Sequence, residues 1–168
     1  MTFSIRQLGV SDAASYRDLR LDGLHRHPEA FGASWDDEAG QSLDWFAARL
    51  ASNRVFGAWM ADGCLAGIAG LGVPAAAKLR HKGVLWGMYV LHAARGTGVA
   101  AALVQRVIEQ AAGTVEEVLL TYTASNVAAE RLYVRFGFER YGAEPRAVRI
   151  GDRYYDIVLM RLPLAGRK

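Results

Sequence analysis

Gly83-Val84-Leu85-Trp86-Gly87-Met88-Tyr89-Val90 is an apolar run of strand length, and Arg95-Gly96-Thr97-Gly98-Val99-Ala100 follows it closely. Past the glycines, Val99, Leu103, Val107 and Ala111 recur at fourfold spacing while Arg106, Glu109 and Gln110 point away, which predicts a helix from about Gly98 to Ala112. Gly96 and Gly98 permit positive φ and leave the backbone open to close approach. The first helical turn then presents N–H groups without helical partners, at the positive end of the helix dipole. A pyrophosphate suits such a place, and Arg95 can add a charge-assisted hydrogen bond of about 1.5–3 kcal/mol. The same glycines would also serve a plain tight turn between strand and helix.

Two nucleotide readings of the turn fail. Gly96-x-Gly98-x-x-Ala101 loosely fits the dinucleotide fingerprint, which needs an acid at the end of the next strand and further β-α units. Glu116 and Glu117 precede that strand, its end is Tyr122-Thr123-Ala124, and the chain finishes in hairpin-like strands. No Gly-Lys-Ser/Thr follows the glycines, so a Walker-type loop fails too.

Upstream, Phe3 to Leu8 alternates as a strand, and Ser11 is placed to cap a helix reaching about Arg26. Pro28 to Gln41 reads as a loop or broken helix with Asp36, Asp37 and Glu38 together, and Ser42 caps a helix from Leu43 to Ala51. Val55 to Met60 and Leu65 to Val73 form a hairpin across Ala61-Asp62-Gly63. Downstream, Val115 to Thr123 is a strand, Ser125 or Asn126 caps a helix to Phe136, and Gly137 stops it. Phe138 to Ala143 and Arg153 to Leu162 are the last strands, with room for a short one from Ala147 to Ile150 between them. The expectation is a single α/β domain over residues 1–168, with one mixed (α+β) sheet, a single β-α-β-α unit and about four helices.

Composition bounds the function classes. The 168 residues are 52% hydrophobic and 22% charged, ordinary for a folded chain, and no apolar stretch nears the roughly 18 residues a membrane helix needs. A net charge of +3 with scattered Lys and Arg suits a small anion and not a nucleic acid, and Gly166-Arg167-Lys168 reads as a solvated tail. The N-terminus lacks a signal-peptide core, so the cytoplasm is the expected compartment. Cys64 is the only cysteine and follows a turn, which favours a structural role. His25-x-His27 has no acidic or cysteine cluster at ligand spacing, so no metal is expected.

Met88 to Ala100, with Arg95-x-x-Gly98-x-Ala100 at its heart, resembles motif A of the GNAT N-acetyltransferases, whose core is Gln/Arg-x-x-Gly-x-Gly/Ala. Asn126-Val127-Ala128-Ala129-Glu130-Arg131-Leu132-Tyr133-Val134-Arg135-Phe136-Gly137-Phe138 is similar to the same family's Asn-x-x-Ala-x-x-Leu-Tyr-x-x-x-Gly-Phe motif. The two stand in order, about thirty residues apart, and the likeness is close from Gly83 to Phe138. His92 departs from the pattern, standing where the family often has proline.

The resemblance implies a GNAT-like fold and an acetyl-CoA-dependent N-acetyltransferase acting by direct attack of an amine on the thioester. Met88, Tyr89 and Val90 would pair their backbone with the pantetheine, and one of their N–H groups would polarise the carbonyl. Arg95, Gly96, Thr97, Gly98, Val99 and Ala100 would hold the pyrophosphate. Asn126 would hydrogen-bond the pantetheine, Ala129 would let it lie flat, and Tyr133, two turns from Asn126, would protonate the departing sulfur. A phenol at about 10 and a thiol at about 8.5 make that proton transfer uphill by only about 2 kcal/mol.

The acceptor, a small-molecule or protein amine, stays open across polyamine, amino acid, aminoglycoside-like drug and protein N-terminus. Phe31, Trp35, Glu38, Trp86 and Tyr154 or Tyr155 are candidate liners, and Glu38, Asp36, Asp37, Glu144 and His81 are candidate bases. A homodimer stays open too, and a non-catalytic acyl-CoA-binding or regulatory domain is the competing reading.

Overall fold

In the computed structural model, which describes residues 2–164, the chain runs β1 (Phe3–Gln7), α1 (Ala13–Arg26), α2 (Trp35–Ala39), α3 (Leu43–Ser52), β2 (Arg54–Met60), β3 (Leu65–Gly72) and β4 (Lys82–Val90). It continues through α4 (Val99–Ala111), β5 (Glu117–Thr123), α5 (Val127–Arg135), β6 (Glu139–Ile150) and β7 (Arg153–Pro163). The seven strands form one sheet in the order β1-β2-β3-β4-β5-β7-β6, antiparallel throughout except where β4 meets β5. The tail Gly166-Arg167-Lys168 lies outside the described residues. No helix among them is long and apolar enough to cross a membrane.

Helices cover both faces, so β3 is apolar on both, as Leu65-Ala66-Gly67-Ile68-Ala69-Gly70-Leu71 shows. Under α4, Val99, Leu103, Val104 and Val107 are fully buried against Phe56, Ala69, Val118 and Leu120. Under α1 and α3, Tyr16, Leu19, Phe46 and Leu50 pack with Ile68 and Tyr89. Burying a large aliphatic or aromatic side chain contributes roughly 1.5–3 kcal/mol, so these two layers carry the fold.

Local chemistry sets most boundaries. Ser42 accepts a hydrogen bond from the Trp45 N–H at 3.2 Å and caps α3 as expected, and Ser34 caps the short α2 in a reciprocal box with Asp37. Ser11 does not cap α1. A 3-10 turn, Val10–Asp12, intervenes, closed by Asp12, which accepts from Gly9 N–H and pairs with Arg6. The last two strands also differ from expectation. β6 is one twelve-residue strand whose register slips between Glu144 and Val148. Pro145 cannot donate to the ladder and Arg146 turns to φ 54°, so the chain bulges and rejoins β7 without breaking the strand.

Candidate active site

β4 and β5 pair only through Lys82–Glu117, Gly83–Val118 and Val84–Leu119, and then part. Beyond that point the edges of Leu85–Val90 and Leu120–Thr123 flank a gap, with backbone groups that no ladder satisfies between them. β4 is further distorted by a bulge. Its register to β3 slips between Trp86 and Tyr89, and Gly87 takes φ 63° there.

The gap opens into two cavities of about 760 and 340 Å³ that share Ala30, Phe31, Met88, Asn126 and Ala129. The larger reaches Val90, Arg95, Gly96, Gly98 and Ala100, and the smaller is walled by Trp86, Tyr122, Tyr133 and Tyr141. Thr123 donates to the Glu29 carbonyl at 2.6 Å, which ties the segment before Phe31 to the tip of β5.

At the wide end, Gly96 and Gly98 hold φ 75° and 91°, the left-handed region that L side chains resist. Apart from chain neighbours, no atom of the described residues lies within 4 Å of where a Cβ would stand on either, so the turn's mouth is open. The N–H groups of the first turn of α4 face this opening without helical acceptors. Val99 is fully buried and Thr97 donates to the Ala94 carbonyl, so neither side chain lines the cavity. Arg95 sits at the rim, its Nε donating to the Val90 carbonyl at 3.3 Å and its Nη2 lying 3.1 Å from His27 Nε2. His92 is exposed in a 3-10 turn, His92–Ala94.

At the narrow end, α5 positions two side chains. Asn126 Oδ1 accepts from the Ala129 N–H at 3.0 Å and caps the helix, which leaves its NH2 group free to donate elsewhere. The other end closes with a Schellman motif. Gly137 (φ 89°) donates to the Val134 carbonyl and Phe138 to the Tyr133 carbonyl, and the Phe138 and Tyr133 rings meet edge to face, 5.7 Å apart. Tyr133 is therefore held at both backbone and ring. It is 5% exposed, and burial pushes its phenol up to about 12.

The sequence-derived residues divide. Met88, Val90, Arg95, Gly96, Gly98, Ala100, Asn126, Ala129, Tyr133, Phe31 and Trp86 all line the two cavities. Tyr89 turns its ring to the other face, packs on Gly23 of α1 and donates to Asp22 at 2.6 Å, so only its backbone serves the cleft edge. Trp35 lies outside, 43% exposed and against His25. Tyr154 lies outside as well, with the Arg146 guanidinium 3.7 Å above its ring, and Tyr155 does not line either cavity.

Glu38 does not line the cleft either. It is 4% exposed and receives Arg20 Nε and Nη2 at 3.0 and 2.9 Å and Arg49 Nη1 at 3.0 Å. Burial alone would raise its pKa, but the bonds and charges of the two arginines hold it below the ordinary carboxylate value. A carboxylate so held is a poor proton acceptor. Asp36, Asp37 and Glu144 are exposed and line neither cavity, and His81 stands at the end where β4 and β5 are still joined.

Sequence reasoning missed Arg20, Arg49, Tyr122 and Tyr141. Arg20 had a readable signal, since Tyr16, Leu19, Arg20, Gly23 and Leu24 form the buried stripe of α1 and a cation on such a stripe needs a partner.

Residues 21–138 match the family model described as Acetyltransferase (GNAT) family, and the chain belongs to that family. The fold is that of the acetyltransferase of GNAT family from Streptococcus pneumoniae (23% identity, 98% of this chain and 100% of that one, TM-score 0.85). It is equally that of an N-acetyltransferase from Staphylococcus aureus Mu50 (22%, 98% and 100%, TM-score 0.86). A GNAT superfamily phosphinothricin acetyltransferase from Sinorhizobium meliloti, solved in complex with AcCoA, shares it as well (19%, 98% and 89%, TM-score 0.84). No curated protein matches the chain.

Proposed function

We propose that the chain transfers an acetyl group from acetyl-CoA to an amine by direct attack, with the donor laid along the open edge of β4 and Tyr133 as general acid. The observation that carries this reading is the fork itself, where β4 leaves β5 after Val84 and offers an unpaired strand edge between a phosphate-suited turn and a buried tyrosine. The residues fit the donor. The open mouth over Gly96 and Gly98 and the free N–H groups of α4 suit the pyrophosphate, with Arg95 at the rim. The cleft-edge backbone of Met88 to Val90, whose Val90 carbonyl already accepts from Arg95 Nε, suits the amide-bearing pantetheine, as an added strand would, and the Asn126 NH2 can donate to it.

The reaction balances without a covalent enzyme intermediate. The acceptor ammonium loses one proton to solvent, and its nitrogen lone pair forms the new C–N bond. The C–S bond breaks, the sulfur takes the Tyr133 proton, and the second amine proton returns to Tyr133 through water. An N–H of Met88 to Val90 stabilises the oxygen that gains charge. With Tyr133 at about 12, the transfer to an ordinary thiolate is uphill by about 5 kcal/mol. The buried sulfur feels the same desolvation, which raises its basicity and narrows that gap. Among the described residues no carboxylate lines either cavity, and Glu130 meets the cleft only through its hydrogen bond to Tyr122, so the first deprotonation is assigned to solvent. The reading is tested by thiol release from acetyl-CoA over an amine panel. Amine-dependent release supports it, and tight acetyl-CoA binding without release to any amine favours a binding domain.

A further inference from the structure

The three-membered ion cluster beneath the narrow cavity holds more positive charge than it cancels. Arg20, 4% exposed, gives Nε and Nη2 to Glu38, and Arg49 gives Nη1 to the same carboxylate. Two guanidinium groups face one carboxylate, so one positive charge is left over, with Arg20 buried and Arg49 keeping 22% of its side chain exposed. Both cations also lie against aromatic walls of the cavity, Arg20 over Phe31 at 5.1 Å and Arg49 over Trp86 at 4.8 Å.

The remaining donor is aimed. Arg20 Nη1 makes no hydrogen bond to a described residue, and it lies 3.6 Å from where a Cβ on Gly87 would stand, the only atom of the described residues within 4 Å apart from the chain neighbours. Gly87 lines the cavity and sits in the β4 bulge beside Met88. A ligand atom in the space that the missing side chain leaves would therefore touch an unpartnered N–H of a buried arginine. The Trp86 ring is seated on Gly70, where a Cβ would come within 2.4 Å of it.

We infer that the acceptor carries an anionic group, bound by Arg20 Nη1 over Gly87, within a few atoms of the amine that is acetylated: a free amino acid or a close analogue. The spacing follows from the chain, since Gly87 directly precedes the Met88 to Val90 edge assigned to the thioester carbonyl, and adjacent residues are about 3.8 Å apart at Cα. The inference rests on the proposed transferase activity. A protein N-terminus lacks the adjacent carboxylate, and a polyamine would bring like charge to Arg20.

The test compares the twenty amino acids with their carboxamides and with spermidine, scoring thiol release from acetyl-CoA and, separately, calorimetric binding of N-acetyl amino acids and N-acetyl amino amides to the CoA complex. At least one acid should exceed its carboxamide by roughly 10- to 100-fold in kcat/KM, the scale of one charged hydrogen bond. N-acetyl acids should bind more tightly than the amides. Gly87→Ala puts a methyl group in front of Nη1 and also strains the φ 63° bulge, so it is read by the acid-over-amide ratio, which strain alone does not move and which should fall. Arg20→Lys keeps a cation for Glu38 but loses the fork, and should reduce the acid-over-amide ratio in protein that unfolds cooperatively. Carboxamides or spermidine acetylated as well as the acids, or Gly87→Ala with an unchanged ratio, would overturn the inference and leave the transferase reading standing. Failure of every amine as acceptor, with N-acetyl acids bound no better than amides, would overturn both.

Discussion

Tyr133 and Glu38 show how burial divides labour between two titratable side chains. Tyr133 is buried and desolvated, so its proton stays on to about pH 12 and the proposed acid is loaded at any physiological pH. Tyr133→Phe should lower kcat about 100-fold or more, within the usual range for general acid catalysis, and leave acetyl-CoA affinity unchanged. The pH profile of kcat should accordingly show no fall assignable to Tyr133 below about pH 10, measurable with buffers from pH 6 to 10. Glu38 is buried between two arginines and is structural. Its folded pKa lies below the unfolded value of about 4.3, so its stabilisation is complete above that value and is lost as pH falls through the folded pKa. Breaking a buried pair costs about 3–5 kcal/mol, so Glu38→Ala should shift urea unfolding by that order at pH 7. Glu38→Gln should flatten the loss of stability between pH 5 and 3 relative to wild type. The acid trio at 36–38 was legible as a feature of the sequence, yet nothing in it told Glu38 from Asp36, because the distinguishing fact is which one α1 and α3 close over.

At the scale of elements, the turn before α4 and the two ends of α5 were legible because they depend on local chemistry. Gly96, Gly98 and Gly137 each take positive φ, Asn126 caps, and the fourfold stripe of α4 is buried along its whole length. Gly98→Asp combines strain at φ 91° with a carboxylate facing the proposed pyrophosphate site, and should weaken acetyl-CoA binding at least 100-fold by calorimetry. Gly23→Ala tests how α1 seats on the sheet. A Cβ there would lie 2.9 Å from the Tyr89 ring, so overpacking should destabilise the fold by about 1–3 kcal/mol in urea unfolding. The features that escaped sequence reasoning are those set by distant partners. The bulge at Gly87, the continuous β6 across Pro145 and the ion cluster under Phe31 and Trp86 all depend on register or on helix packing, and no local pattern encodes either.

For the whole molecule, the decisive property is a sheet that pairs β4 to β5 for three residues and then separates them. The strand order predicted one mixed sheet, but the point of separation is a balance between ladder hydrogen bonds and the packing of α4 and α5 on either side. A donor lying in the fork, as proposed, would supply the missing strand partner. Acetyl-CoA at a hundred times its dissociation constant should therefore raise unfolding stability by about 2.7 kcal/mol. The most direct measurement follows CoA thiol release and N-acetyl product together, for wild type and Tyr133→Phe, with acetyl-CoA and an amino acid panel. One thiol per N-acetyl product is expected, with Tyr133→Phe binding acetyl-CoA normally and turning over about 100-fold more slowly. Wild-type turnover in Tyr133→Phe, or thiol released without N-acetyl product, would contradict direct transfer in the fork with Tyr133 as acid.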